Sequence, residues 1–252
     1  MILKDRVAIV TGAGSGIGQG GAMIMAREGA HVVVVDLNAE RAQETVDRIE
    51  AAGSSGEAAA VDVTDDQAMA ALVADIHGRL GRIDILHNHA GVQVEGTLEG
   101  VSIDGFDKSW DVNVRAHFIA ARLVAPIMRV QKKGVILNTS SSSGIFYDRE
   151  MIAYTTSKHA VAAMTRQIAA DYAQYNIRVN ALCPGWVDTP FNEPFIRQMG
   201  GRAAIEAYIA DKVPMGRWAS VEEVAETILF LVSDRSSYIT GQAIVVDGGE
   251  TI

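Results

Sequence analysis

Seven short runs rich in apolar and β-branched residues, each parted from the next by a longer helical or polar stretch, leave this chain few ways to fold. They are RVAIVTG (6–12), HVVVVD (31–36), EAAAVDV (57–63), IDILHNHAG (83–91), GVILNTSS (134–141), IRVNALCPG (177–185) and QAIVVDGG (242–249). Several are apolar almost throughout, the pattern of strands covered on both faces. Between them lie amphipathic stretches with recognisable ends. NAERAQETVDRIEAAG opens on Asn38 as an N-cap and closes at Gly53, while TDDQAMAALVADIHGRLG opens on Thr64 or Asp65 and closes at Gly81. Strands that alternate with helices over short connections build right-handed βαβ units around a parallel sheet. The expectation is an α/β fold: one doubly wound domain over residues 1–252, with a seven-stranded, mostly parallel sheet flanked by helices.

One segment breaks the rhythm. Residues 189–218, TPFNEPFIRQMGGRAAIEAYIADKVPMGRW, hold three of the five prolines, a Gly-Gly pair and a short amphipathic helix. The segment follows a strand whose carboxyl end borders the crevice of an open α/β sheet, so it reads as a substrate-covering insertion with hinge points. Composition argues mainly by exclusion. A net charge of −9 repels phosphate backbones and anionic lipid, so neither nucleic acid nor a membrane surface is an expected partner. The lone Cys183 cannot form an internal disulfide; it fits a reducing compartment and, within VNALCPG, reads as a small buried hydrophobe. MILKDRVAIVTGAG passes directly into the first strand without the longer apolar core of a signal peptide. No run approaches the ~18 apolar residues of a membrane span. The reading is a soluble, cytoplasmic protein.

TGAGSGIGQGG (11–21) follows the first strand and opens a helix. Glycines there permit positive φ and let the backbone approach a pyrophosphate, whose charge a helix N-terminus favours. A G-x-G-x-x-G match at Gly16, Gly18 and Gly21 runs into the helix, so the better reading is Gly12, Gly16 and Gly18, with Ser15 in the same turn. Asp36 ends the second strand 20 residues after Gly16. A carboxylate there accepts hydrogen bonds from ribose hydroxyls and repels a 2′-phosphate. Leu37 and Asn38 follow it in place of arginines, and the turn carries no basic residue, so the sequence favours NAD over NADP.

AYTTSKHA (153–160) places Tyr154 and Lys158 one helical turn apart on one face, shortly after the serine run TSSSSG (139–144). Alone, such a pair is far more often a surface contact than an activated acid. The ordered set is more specific. TGAGSGIG, Asp36, DV at 62–63, NHAG at 88–91, VNV around Asn113, SSSSG at 140–144, YTTSK at 154–158, PGWVDT at 184–189 and VDGG at 246–249 resemble the short-chain dehydrogenase/reductase family over essentially the full length. The resemblance implies a Rossmann-type fold, a nicotinamide cofactor and a tetrad of Asn113, Ser141, Tyr154 and Lys158. Ser141 is the family's serine because it lies three residues before Gly144 and 13 before Tyr154. By the same resemblance Tyr154 is the acid/base, Ser141 bonds the substrate oxygen, Lys158 also holds the nicotinamide ribose, and Asn113 anchors a water chain. Bringing a phenol from about 10 to neutrality takes about 4 kcal/mol. A cation ~4 Å away at an effective dielectric of ~20 supplies roughly that much, so Lys158 is expected to lower the Tyr154 pKa. Ser140, Ser142 and Ser143 read as strand-end packing or pocket wall, with Ser143 able to touch substrate.

The resemblance also implies that Asp62 and Val63 border the adenine and that Asn88, Ala90 and Gly91 lie beside the ribose. Val187 and Thr189 would hold the carboxamide, with Pro184 near them, and Ile17 would present its N–H to the pyrophosphate. One departure is His89, where the family usually carries a second asparagine. His87 and His89 share a strand face, but no carboxylate or thiol completes a ligand set, so they read as packing or solvent-facing side chains and no metal is expected. Pocket candidates are Gln93, Val94, Ser143, Phe146, Met151, Trp186 and the 189–218 segment, a mixture suited to a polyol, a sugar derivative or a small hydroxylated ring. YDRE (147–150) could also read a polar substrate. NAD-dependent oxidation of a secondary alcohol leads; reduction of a ketone or 3-oxoacyl thioester, and a non-catalytic dinucleotide-sensing role, are the alternatives. AIVVDGG and SVEEVAETILFLVSD suggest a packed apolar C-terminal surface, and the resemblance implies a homotetramer.

Overall fold

The computed structural model describes residues 1–252. Seven strands form one sheet: β1 (Val7–Thr11), β2 (His31–Asp36), β3 (Ser55–Ala60), β4 (Ile85–Asn88), β5 (Gly134–Thr139), β6 (Ile177–Pro184) and β7 (Ala243–Val246). Their order is β3-β2-β1-β4-β5-β6-β7, and every neighbouring pair is parallel. Winding reverses between β1 and β4, which opens a crevice at the carboxyl ends of those strands.

Nine helices surround the sheet: α1 (Gly16–Arg27), α2 (Ala39–Ala51), α3 (Asp66–Leu80), α4 (Ile103–Trp110), α5 (Ala116–Gln131), α6 (Ile152–Tyr172), α7 (Glu193–Gln198), α8 (Arg202–Lys212) and α9 (Val221–Val232). The alternation of strand side chains decides which helices cover which face. Ala8, Val10, Val32 and Val34 pack with α1, α2 and α9, whereas Val7, Ile9, Val33 and Val35 pack with α3, α5 and α6. A fully buried valine or isoleucine is worth about 1.5–3 kcal/mol. With both faces covered, a one-residue slip would misplace every such side chain.

Helix ends follow the sequence signals. Asn38 accepts a hydrogen bond from the Arg41 N–H, and Asp65, not Thr64, caps α3 by accepting from the N–H groups of Gln67 and Ala68. Gly81 closes α3 in the left-handed region at φ 72°. The 189–218 segment differs from the single helix its sequence suggested. It folds as α7 and α8, parted where Gly200 and Gly201 take φ 90° and 111°. Ile196, Ile205, Ile209 and Val213 give it a small core of its own, against which Trp186, Phe195, Tyr208 and Trp218 pack. Cys183 is fully buried on β6, and burial pushes its thiol up to about 11. No helix is long and apolar enough to cross a membrane.

Candidate active site

β1 delivers the chain into a turn that only glycine accommodates. Gly12 takes φ 66° and Gly16 φ 54°. A Cβ on Gly18 would stand 2.2 Å from the Gly12 carbonyl oxygen, so the turn is folded tightly on itself as α1 begins. The first N–H groups of α1 lack helical partners and face the crevice, where an anion is favoured. At the edge of the turn Asp36 is fixed by two backbone donors: its Oδ2 accepts from the Gly14 N–H and its Oδ1 from the Asn38 N–H, both at 2.9 Å. A cleft of ≈ 660 Å³ runs from Gly12, Ser15, Gly16 and Ile17 past Ala90 and Gly91 to Tyr154, Lys158, Pro184, Val187 and Thr189. A second concavity, lined in part by Asp62, Val63 and Val92, shares Gly12, Asp36, Ala90 and Gly91 with it. Close backbone, helix N-terminus, fixed carboxylate and a two-part cleft together fit a dinucleotide.

Two of the expected cofactor residues lie behind this wall. Gly18 is spent on the close contact with Gly12. Asn88 is buried toward α5, donating from Nδ2 to the His117 carbonyl at 3.1 Å and to Asn138 Oδ1 at 2.9 Å. Strand alternation turns its side chain away from the crevice, leaving it a bracing part. No group of three or more metal-ligating side chains is assembled anywhere in the chain.

Three of the four expected catalytic residues, Ser141, Tyr154 and Lys158, line one end of the cleft. Tyr154 and Lys158 stand on the first turns of α6, with Lys158 Nζ 5.6 Å from the centre of the phenol ring and donating to the Thr139 carbonyl at 3.0 Å. Ser141 caps a single 3₁₀ turn: its Oγ accepts from the Ser143 N–H at 3.2 Å and lies 3.3 Å from Ser143 Oγ, which donates to Asp148 Oδ2 at 2.5 Å. Asn113 occupies a π-helical turn, residues 111–115, between α4 and α5, a distortion frequent at functional sites. Its Oδ1 accepts from the Val92 N–H at 2.8 Å, and its Nδ2 donates to the Val92 carbonyl and to Ser157 Oγ, both at 2.9 Å. Asn113 thereby clamps the β4 exit to α6 without its side chain lining the cleft. Ser140 packs beneath, donating to the Lys158 carbonyl at 2.8 Å.

The electrostatics run against the expected direction. Burial pushes the Tyr154 phenol up to about 12, with the Ser141 hydroxyl pulling it back and Asp148 adding to the rise. Burial also brings the Lys158 ammonium down to about 8. In the protein alone, desolvation of the two groups outweighs their attraction. The net direction at the phenol is up, the opposite of what the Lys158 charge alone would give.

His87 and His89 do share a face; His87 is fully buried, and His89 is half-buried at the cleft wall. His87 Nε2 and His89 Nδ1 lie 2.9 Å and 3.1 Å from the same atom, Thr139 Oγ1, while His117 Nε2 lies 3.0 Å from the Ala90 carbonyl oxygen. Burial drives His89 and His117 to about 3 and His87 well below its usual range, so all three are neutral. Thr139, whose carbonyl holds Lys158, is thus braced through its side chain by two imidazoles. His89 also lines the cleft.

At the far end, Gln93, Ser143, Phe146 and Trp186 line the cavity together with Phe191, Phe195, Met199 and Tyr208 from the 189–218 segment. Val94 and Met151 do not. Val94 packs toward Gly105, and Met151 is buried in a short bridge to Gly96. Asp148 is on the wall, as the YDRE reading allowed. Glu250 is there too, and sequence offered no signal for it, since it arrives by a fold-back of the chain after β7.

Residues 12–251 match the family model described as Enoyl-(Acyl carrier protein) reductase. The chain is 36% identical over 252 residues to a 3-oxoacyl-[acyl-carrier-protein] reductase of Thermotoga maritima, covering 100% of both. It is 38% identical over 269 residues to a short-chain dehydrogenase of Penicillium roqueforti (98% of this chain, 96% of that one). A cyclohexanol dehydrogenase of Acinetobacter sp. is 36% identical over 249 residues, with the same coverage of 98% and 96%. Among solved structures, levodione reductase superposes with a TM-score of 0.95 at 33% identity over 98% of each chain. A gluconate 5-dehydrogenase from Burkholderia cenocepacia, in complex with NADP and tartrate, gives 0.92 at 33% identity (98% and 96% covered). A 7α-hydroxysteroid dehydrogenase, complexed with NADH and 7-oxo glycochenodeoxycholic acid, gives 0.91 at 34% identity (98% and 94% covered).

Proposed function

The chain belongs to the short-chain dehydrogenase/reductase family of oxidoreductases, and from that premise we propose that it transfers hydride between a secondary alcohol and NAD, with Tyr154 as the acid/base. The observation that carries this reading is the convergence of Tyr154, Ser141 and Lys158 at one end of the glycine-lined cleft. Ser141 would hold the substrate oxygen while Tyr154 exchanges its proton. Lys158 would bind a ribose hydroxyl and keep its charge near the phenol. When bound, the dinucleotide takes or gives the hydride and, in its oxidised form, brings a positive charge to this end of the cleft. Moving a phenol from about 12 to neutrality takes about 7 kcal/mol, more than the ~4 kcal/mol of one nearby cation. Tyr154 is therefore a base only in the loaded complex.

NAD is favoured by Asp36, a carboxylate fixed at the end of β2, because a negative charge there would repel a 2′-phosphate. Arg41, whose stem packs beside Gly14 and Asp36, is the feature an NADP reading would use, and the similar structures include complexes of both cofactor types. Ketone or 3-oxoacyl reduction is the second reading, supported by the protonated phenol and by the Thermotoga relative. We place the protein in the cytoplasm as a homotetramer. Exposed Val245 on edge strand β7, Phe230 on α9, Tyr238, and Trp110 and Phe118 on α4 and α5 support assembly; sedimentation as a monomer at micromolar concentration would contradict it. A screen of secondary alcohols, polyols and cyclic alcohols with NAD and NADP, following dinucleotide reduction, tests the function. Binding of dinucleotide with no hydride transfer in either direction would sink the oxidoreductase reading, and a higher kcat/KM with NADP would overturn the cofactor.

A further inference from the structure

Two carboxylates close the substrate end of the cleft, and neither is paired with a protein cation. Glu250 reaches it because Gly248 and Gly249, at φ 66° and 92°, turn the chain back after β7. Asp247 pins that turn, accepting from the N–H groups of Gly249 and Thr251, both at 2.9 Å. Glu250 Oε1 then accepts from Trp186 Nε1–H at 2.7 Å. The indole is itself held edge-on by Phe195, Tyr208 and Trp218, with centroid distances of 5.5, 5.9 and 5.8 Å. Asp148 comes from the opposite wall, where Ser143 Oγ donates to its Oδ2 and Oδ1 has no protein donor.

The two charges sense each other and the reacting phenol. Burial raises the Glu250 carboxyl above its ordinary range, and Asp148 raises it further. Asp148 also adds to the rise at Tyr154, and both carboxylates add to that at Tyr208. Neither forms an ion pair: Arg149 lines the same wall without pairing, and Lys158 is turned to Thr139. The links Ser141–Ser143–Asp148 place one carboxylate two hydroxyls away from the point where Ser141 would hold the substrate oxygen. A carboxylate or phosphate on the substrate would meet two like charges there, whereas a donor would complete their hydrogen bonding.

We propose that Asp148 and Glu250 set the substrate class: the alcohol carries hydrogen-bond donors close to its reacting carbon, either further hydroxyls or a protonated amine, and no anionic group. This rests on the hydride-transfer reading for the identity of the site. The stacked Phe146 and Tyr147, 4.8 Å apart, with Phe191 beside Tyr154, add apolar ring surface suited to the C–H faces of such a molecule.

The test is equilibrium binding to the wild-type protein saturated with reduced dinucleotide, which needs no turnover. Matched sets sharing one carbon skeleton (a polyol, an amino alcohol and a hydroxy acid) are titrated by calorimetry. The better donor compound is expected to bind at least about tenfold more tightly than the hydroxy acid, and the order of polyol and amino alcohol tells hydroxyl from ammonium recognition. Asp148→Asn and Glu250→Gln should each shrink that gap to about threefold or less while dinucleotide affinity holds. Hydroxy acids binding as well or better, no compound binding, or a gap unchanged in both variants would overturn the proposal. Turnover of the same sets is the separate arm. Binding preference without any hydride transfer refutes the oxidoreductase reading alone, and preferred turnover of hydroxy acids refutes the substrate class alone.

Discussion

Lowering the pH from about 7.5 to about 5 leaves His87, His89 and His117 neutral inside the fold while the same residues charge in the unfolded chain. Their pKa values are lowered by burial, to about 3 for His89 and His117 against an ordinary 6.5. The unfolded state therefore binds more protons below 6.5, so stability present at neutral pH is lost as the pH falls through that value and continues falling toward 3. At pH 5 each histidine is 6.5 − 5 = 1.5 units into its window, or about 2 kcal/mol, and the two together about 4 kcal/mol. That is a large share of an ordinary ~5–15 kcal/mol total. His87 acts in the same direction. Lys158, lowered to about 8, and Tyr154, raised to about 12, lie above the window, Glu223, lowered to about 2 from 4.5, lies below it, and Glu250, raised by burial, acts in the opposite direction to the histidines. Urea unfolding at several pH values between about 7.5 and 5 should show a slope of two to three protons per chain, and His89→Asn should remove about one. Stability that stays level across this range would refute the reasoning.

Gly18→Ala puts a methyl group 2.2 Å from the Gly12 carbonyl oxygen, so dinucleotide affinity should fall by about tenfold or more as the turn opens; an unchanged fluorescence titration would contradict this. Asp36→Ala removes the fixed charge and should move the NADP-to-NAD ratio of kcat/KM up by about tenfold or more. An unmoved ratio would show that Asp36 does not set the preference. Arg178 is buried on β6 and donates to the carbonyls of Leu231, Ser233 and Ile239 at 2.9, 2.8 and 3.3 Å. Arg178→Met should cost about 3 kcal/mol, lowering Tm by roughly 6–12 °C in a scanning melt; a shift of about a degree would mean that those carbonyls find other donors.

The sheet was legible because its strands are covered on both faces: HVVVVD can bury Val32 to Val35 only between two helical layers. The glycine turn, Asp36 and the Tyr154–Lys158 spacing were legible because each is local in sequence, whereas Asn113 and Ser141 were singled out only by the family resemblance. What stayed hidden depended on tertiary placement. Tyr154 and Lys158 stand as close as their spacing implies, yet sequence carries no measure of burial, and burial decides the direction of both pKa shifts. The paired histidines read as packing or solvent-facing groups, and only the fold shows Thr139 caught between them. Glu250 was unreadable for a simpler reason: its partner Trp186 lies 64 positions earlier, and nothing in VDGG says which way the tail turns.

Proton exchange at Tyr154 is read most directly by comparing wild type with Tyr154→Phe on one accepted alcohol, alongside a dinucleotide titration of both. Hydride transfer should drop by about 10²–10⁴-fold while cofactor affinity stays within about threefold. A phenylalanine variant that reduces dinucleotide at the wild-type rate would contradict the assignment.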